Sequence, residues 1–154
     1  MLTADQMRTL PEFFLDIPDL RRKQGQRHSL PCILALATAA VLCGMVGYKA
    51  IGGWADNLGQ KARARFGCRK RNGRYHVPSR TTFRETLIGV DPEQLDLALQ
   101  GWNDQFAKED EGLAIDGKTL CNAIDEESRQ THILGVVGHQ TGRCHTKKKS
   151  VSCP

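Results

Sequence analysis

The stretch Ser29-Leu30-Pro31-Cys32-Ile33-Leu34-Ala35-Leu36-Ala37-Thr38-Ala39-Ala40-Val41-Leu42-Cys43-Gly44 decides the fold. Ser29 is a helix-capping type, and Pro31 falls in the first turn, where its missing N–H costs nothing. The spacing predicts a helix over Cys32–Cys43. It is apolar on every side, so it belongs at the centre of a core. The apolar run from Leu30 to Val46 falls short of the roughly 20 residues of a bilayer span and contains Pro31, Thr38 and Gly44, so a buried helix is the reading. Gly44 and Gly47 end that helix. A second helix follows, with Tyr48, Ile51, Trp54, Ala55 and Leu58 on one face, and the two make a helical hairpin.

Upstream, a short first helix stops at Asp16-Ile17-Pro18-Asp19, because the residue before a proline is pushed out of the α region. Arg21, Arg22, Lys23 and Arg27 follow in a polar link. Downstream, Lys61, Arg63, Arg65, Arg69, Lys70, Arg71, Arg74 and Arg80 are eight bases uninterrupted by any acid. The whole chain has 22 Lys and Arg against 17 Asp and Glu, a net +5, so the rest is acidic and the basic excess is local. Phe66, Tyr75 and His76 lie among these charges, where they are placed to stack on bases or lie over a nucleic-acid backbone. The bland reading of this window is a solvated loop.

Val77-Pro78-Ser79-Arg80-Thr81-Thr82 pairs a turn with hydroxyl caps and opens a short helix to Leu87. Asp91-Pro92-Glu93-Gln94 is a capping-box start, and Leu95, Leu99, Trp102 and Phe106 continue one apolar stripe. Lys108-Glu109-Asp110-Glu111-Gly112 ends the helical part. Strand-like runs follow at Gly112 to Ile115, Thr131 to Val137 and through Thr146, with Asp116-Gly117 between them. At 154 residues the chain holds one ordinary domain and part of a second. The division expected is a helical domain at 1–111 and a short region of two to three strands at 112–154.

The six cysteines are scattered and no secretory pattern opens the chain, so a reduced, intracellular, cytoplasmic protein is expected. Cys121, His132, His139, Cys144, His145 and Cys153 are zinc-binding types without zinc-binding spacing. His28 has no identifiable acid partner for a catalytic triad, which favours a structural or phosphate-facing role. Gly44-Met45-Val46-Gly47 and Ile51-Gly52-Gly53 lack the strand and lysine context of nucleotide-binding loops.

Ile17-Pro18-Asp19, Arg27-His28-Ser29-Leu30, Tyr48-Lys49-Ala50-Ile51 with Trp54-Ala55, Pro78-Ser79 with Thr82-Phe83-Arg84 and Leu87, and Ile115-Asp116-Gly117-Lys118-Thr119-Leu120 follow one another in that order. This succession resembles H-repeat-associated proteins and insertion-sequence transposases of the DDE type. The resemblance implies a mainly α amino-terminal domain leading into an α/β catalytic domain of the ribonuclease H-like fold, whose first strand ends in the first catalytic aspartate. Asp116 matches that position, both as catalytic residue and as metal ligand. In the family, three carboxylates hold two Mg²⁺ ions about 3.5 to 4 Å apart for phosphodiester cleavage and strand transfer.

Only one of the three carboxylates matches, so the expectation is a truncated, catalytically incomplete transposase fragment that binds no metal stably. Cys121-Asn122-Ala123 departs from the family, which has an arginine, a glycine and a small residue there. Lys147-Lys148-Lys149 implies an adenine-rich run prone to frameshift. Arg69, Lys70, Arg71, Arg74, Arg80, Arg84 and Lys118 are the candidate DNA contacts. Partners expected are DNA, a second copy of the chain or a full-length transposase, and no membrane. The alternative function is a non-catalytic self-association or interaction module, and an active nuclease would require a partner chain to supply the missing carboxylates.

Overall fold

A computed structural model describes residues 9–104, 113–124, 130–138 and 144–151. The chain divides into two compact units, one up to Trp102 and the other from Asn103 onward. Phe106, the 108–112 polar cluster, His139 and Cys153 lie outside the described residues.

The first unit is mainly helical and is built around α1, Leu30–Leu42. Leu30, Cys32, Ile33, Leu34, Ala35, Leu36, Ala37, Ala39 and Ala40 are all buried, as an apolar run with small residues among the large ones allows. Pro31 stands in the first turn, but the Ser29 side chain makes no capping bond. The Ser29 carbonyl instead accepts from Ile33 N at 3.2 Å. At the other end Gly44 takes φ +82°. Met45 N donates to Ala40 O at 3.0 Å and Gly44 N to Val41 O at 2.9 Å, closing a Schellman turn that only a left-handed residue permits.

Before α1, the expected first helix is a 3₁₀ turn, Leu10–Phe14, whose Leu10 and Phe14 are buried. The polar link is an ordered loop knitted around Arg21. Its guanidinium grips Asp19 through Nε at 2.8 Å and Nη2 at 2.6 Å. Nη2 also reaches the carbonyl of His28 at 2.9 Å.

After α1 come α2 (Tyr48–Asp56) and α3 (Gln60–Arg65). Ile51, Gly52 and Ala55 form the buried face of α2, whereas Tyr48 is 38% exposed. A two-stranded antiparallel hairpin, β1 (Arg69–Arg71) and β2 (Arg74–His76), follows. The basic window is therefore a helix and a β-ribbon, not a solvated loop. Helix α4, Arg80–Gly89, begins where Ser79 Oγ accepts from Thr82 N at 3.2 Å, and it buries Phe83 and Thr86. Helix α5, Pro92–Asp104, is capped by Asp91, whose Oδ1 accepts from Glu93 N at 2.9 Å. Trp102 is buried in the core, with Leu95 and Leu99 packed against it. Around α1 are packed the Leu10–Phe14 turn, α2 and α4.

The second unit holds one antiparallel sheet in the order β3 (Leu113–Ile124), β4 (Gln130–Gly138), β5 (Cys144–Val151). The strands run longer than the sequence patterns suggest. Asp116 pairs with Gly135 and Gly117 with Leu134, so this dipeptide is interior strand, neither a strand end nor a hairpin turn. Lys147, Lys148 and Lys149 also lie within the ladder, opposite Gly135, Leu134 and Ile133. Among the described residues no helix is long and apolar enough to cross a membrane.

Candidate nucleic-acid interface

The hairpin reverses at Asn72-Gly73, with φ +48° and +76°. Positive φ at both central residues is the geometry of a type I′ turn, and Asn-Gly is the dipeptide that adopts it most readily. A two-residue turn fixes the register: Arg71 faces Arg74, Lys70 faces Tyr75 and Arg69 faces His76. Because side chains alternate along a strand, Arg69, Arg71, Arg74 and His76 share one face of the ribbon, and Lys70 and Tyr75 share the other. All four on the first face are exposed.

On the second face Lys70 is exposed, and Tyr75 is the residue that meets the protein. Tyr75 is half-buried against the core, and the Lys70 ammonium lies 5.6 Å from the centre of its ring. Lys70 thus stands apart from the three arginines with which it is adjacent in sequence. Phe66 is buried and meets Trp54 edge-on at 6.3 Å, so it is core and is not placed to stack on a base.

Two side chains of α3 hold the ribbon. In an antiparallel pair, the residue one step from a tight turn directs its N–H and C=O outward. Tyr75 is that residue. Gln60 Oε1 accepts from Tyr75 N at 2.7 Å, and Gln60 Nε2 donates to Tyr75 O at 3.2 Å, as a neighbouring strand would. Arg63 donates to three carbonyls: Leu58 at 2.8 Å, Asp56 at 2.8 Å and Tyr75 at 3.1 Å. Arg63 is therefore a clamp and not a surface charge. Neither role was visible in the sequence, where Arg63 is one base among eight and Gln60 carries no signal at all.

A second Schellman turn at Gly67, φ +71°, carries α3 into β1 and places Cys68 beneath it. The buried Cys68 thiol receives a hydrogen bond from Cys32 of α1, sulfur to sulfur 3.7 Å. That bond, reinforced by the nearby Arg63 charge against the opposing effect of burial, holds Cys68 below the ordinary thiol pKa. The same bond, with burial behind it, pushes Cys32 well above its own.

The other candidates are dispersed. Arg80 and Arg84 are exposed, one turn apart on α4. The stem of Arg80 lies over Gly52 of α2, where a Cβ would come within 2.5 Å of its Cγ, so the glycine makes room for it. Lys118 and Asp116 belong to β3 in the second unit. Among the described residues no group of three or more His, Cys, Asp or Glu is placed to hold a metal ion.

The family described as DDE_Tnp_1-associated matches residues 11–103, more than half of the chain. The chain belongs to this transposase-associated family, and the match spans the whole helical core and the hairpin. Compared with curated proteins and with solved structures, it finds no match.

Proposed function

We propose that the chain is a DNA-binding, catalytically incomplete part of a DDE-type transposase, and that the exposed face of the β1–β2 ribbon makes the contact. The observation that carries this reading is the pairing of Arg71 with Arg74, flanked by Arg69. Like charges directly opposite each other destabilise a ladder, and no acid occurs between residues 61 and 80 to relieve them. Phosphates would supply the missing negative charge, and a two-stranded ribbon is narrow enough for the major groove of duplex DNA. Arg80, in the first turn of α4, and Arg84 are further exposed bases of the same unit, one turn apart.

The β3–β4–β5 sheet is read as the start of a ribonuclease H-like catalytic domain, supported by the position of Asp116 on its first strand. Mg²⁺ is the ion such a domain would use. Strand cleavage is not assigned to this chain, because Asp116 alone is matched to the family's three carboxylates. The test is DNA binding titrated with salt. Wild type should weaken along a slope of about −3 in log affinity against log salt, from 0.9 per phosphate neutralised by three arginines. The variant R69A/R71A/R74A should lose that dependence along with most of the affinity. A folded sample that fails to bind at low salt would refute the reading.

Self-association remains the second reading, favoured by the exposed Val41, Leu42 and Val46 where α1 turns into α2. Apolar association would persist or strengthen as salt rises, the opposite of the DNA response.

A further inference from the structure

Cys32 and Cys68 take no part in the basic face. Cys32 sits in the first turn of α1, and Cys68 stands one residue before β1. Both are free thiols, 1% and 4% exposed, and their sulfurs are 3.7 Å apart in a hydrogen bond. The sulfurs already touch, so a bond of about 2 Å between them calls first for rotation of the two side chains. The pair does not lie in solid core. A groove of about 690 Å³ runs beside it, its mostly apolar wall including Ile17, Leu30, Pro31, Cys32, Phe66 and Gly67. That groove borders one cysteine of the pair and the turn that delivers the other. It brings a molecule little larger than water up to the pair, while burial of both thiols screens them from bulky reagents.

We propose that Cys32 and Cys68 are an oxidation site for a small hydroperoxide such as hydrogen peroxide, and that the disulfide they form ties the ribbon to α1. Cys68 is the attacking residue. It is the more exposed of the two, it accepts the hydrogen bond from Cys32 and it lies near the Arg63 charge, all of which favour the reactive thiolate. Its sulfur attacks one peroxide oxygen: the S–O bond forms, the O–O bond breaks, and hydroxide leaves as water with the proton Cys68 has given up. The Cys32 sulfur then attacks the Cys68 sulfur. The S–S bond forms, the S–O bond breaks, and hydroxide leaves as a second water with the Cys32 proton. Two thiols lose two electrons and one peroxide becomes two waters. The new bond closes a loop over residues 32–68, which holds α2 and α3 and ends where the ribbon begins.

The experiment treats the full chain carrying C43S with hydrogen peroxide, because Cys43 is exposed and shares a tryptic peptide with Cys32. Peptide mapping should find Cys32 joined to Cys68, with the link undone by a thiol reductant. The oxidised chain should melt roughly 10 °C or more above the reduced one, as a disulfide closing a loop of this length does. Amide exchange in β1 should slow. C43S/C68S treated alike should show neither the link nor the rise. Thiols 32 and 68 that stay reduced in the folded chain, or that take up oxygen without joining, would overturn the oxidation site. A link that leaves melting and β1 exchange unchanged would overturn the tie between ribbon and helix. The C43S map and melt decide the matter even if C43S/C68S does not fold.

Discussion

Arg63 and Arg71 are eight residues apart in one basic window, and their surroundings give them opposite work. Arg63 sends its guanidinium to the carbonyls of Asp56, Leu58 and Tyr75, so its loss removes a donor from all three and leaves the Tyr75 carbonyl to Gln60 alone. Hydrogen bonds to charged groups are worth more than neutral ones, and allowing for the partial exposure of this side chain, R63A should cost about 2 kcal/mol. That corresponds to a melting point lower by roughly 10 °C in a domain of this size. R71A removes only an exposed charge: stability should stay within about 0.5 kcal/mol, while the salt slope of DNA binding falls by about 1. Thermal melts beside salt titrations separate the two roles. Asp19 gives a pH test. Its carboxyl is held below 3.8, chiefly by the Arg21 side chain against the opposing effect of burial. A depressed folded-state pKa contributes stability that is complete above about 3.8 and disappears as pH falls through the lower folded value. D19N should therefore melt lower than wild type near neutrality and converge with it in strong acid. A gap that persists in acid would argue against the pair as its source.

The ribbon owes its shape to its turn. A Cβ added at Gly73 would meet nothing within 4 Å, so G73A isolates the backbone cost of φ +76°, about 1–2 kcal/mol for a residue with a side chain. The expected outcome is amide exchange about tenfold faster in β1 and β2, weaker DNA binding and unchanged protection in α1. This element is also where the sequence was hardest to read. Helix α1 is legible because a continuous apolar run can only be buried, and α5 because Asp91-Pro92 fixes its start. The hairpin has no alternating apolar pattern: Tyr75 is the single apolar side chain in β1 or β2, and the six residues of α3 hold too short a stripe to register. Asn72-Gly73 was the usable local signal, obscured by the density of charge around it. The roles of Gln60 and Arg63 depend on a backbone 12 to 15 residues away, which local composition does not encode. Asp116-Gly117 shows the converse. As a dipeptide it favours a turn, but pairing with Gly135 and Leu134 keeps it in strand.

At the scale of the whole molecule, the two chemistries of the proposed reading fall in different units. The ribbon and its basic face lie in the first, while Asp116 and Lys118 lie on β3 in the second. DNA contact by the ribbon needs neither of them. On the proposed reading, cleavage needs three carboxylates that share two cations, and Asp116 is the one residue matched to that set. The purified chain should therefore bind duplex DNA without nicking it, and adding Mg²⁺ should leave a supercoiled plasmid intact apart from the mild weakening that any added salt brings. D116N should bind with unchanged affinity and an unchanged salt slope, whereas R69A/R71A/R74A should lose both and gain no cleavage. Nicking that requires Mg²⁺ and disappears in D116N would mean that further oxygen ligands reach Asp116 in the assembled protein, from this chain or a second copy, and would return catalysis to the account of what this chain does.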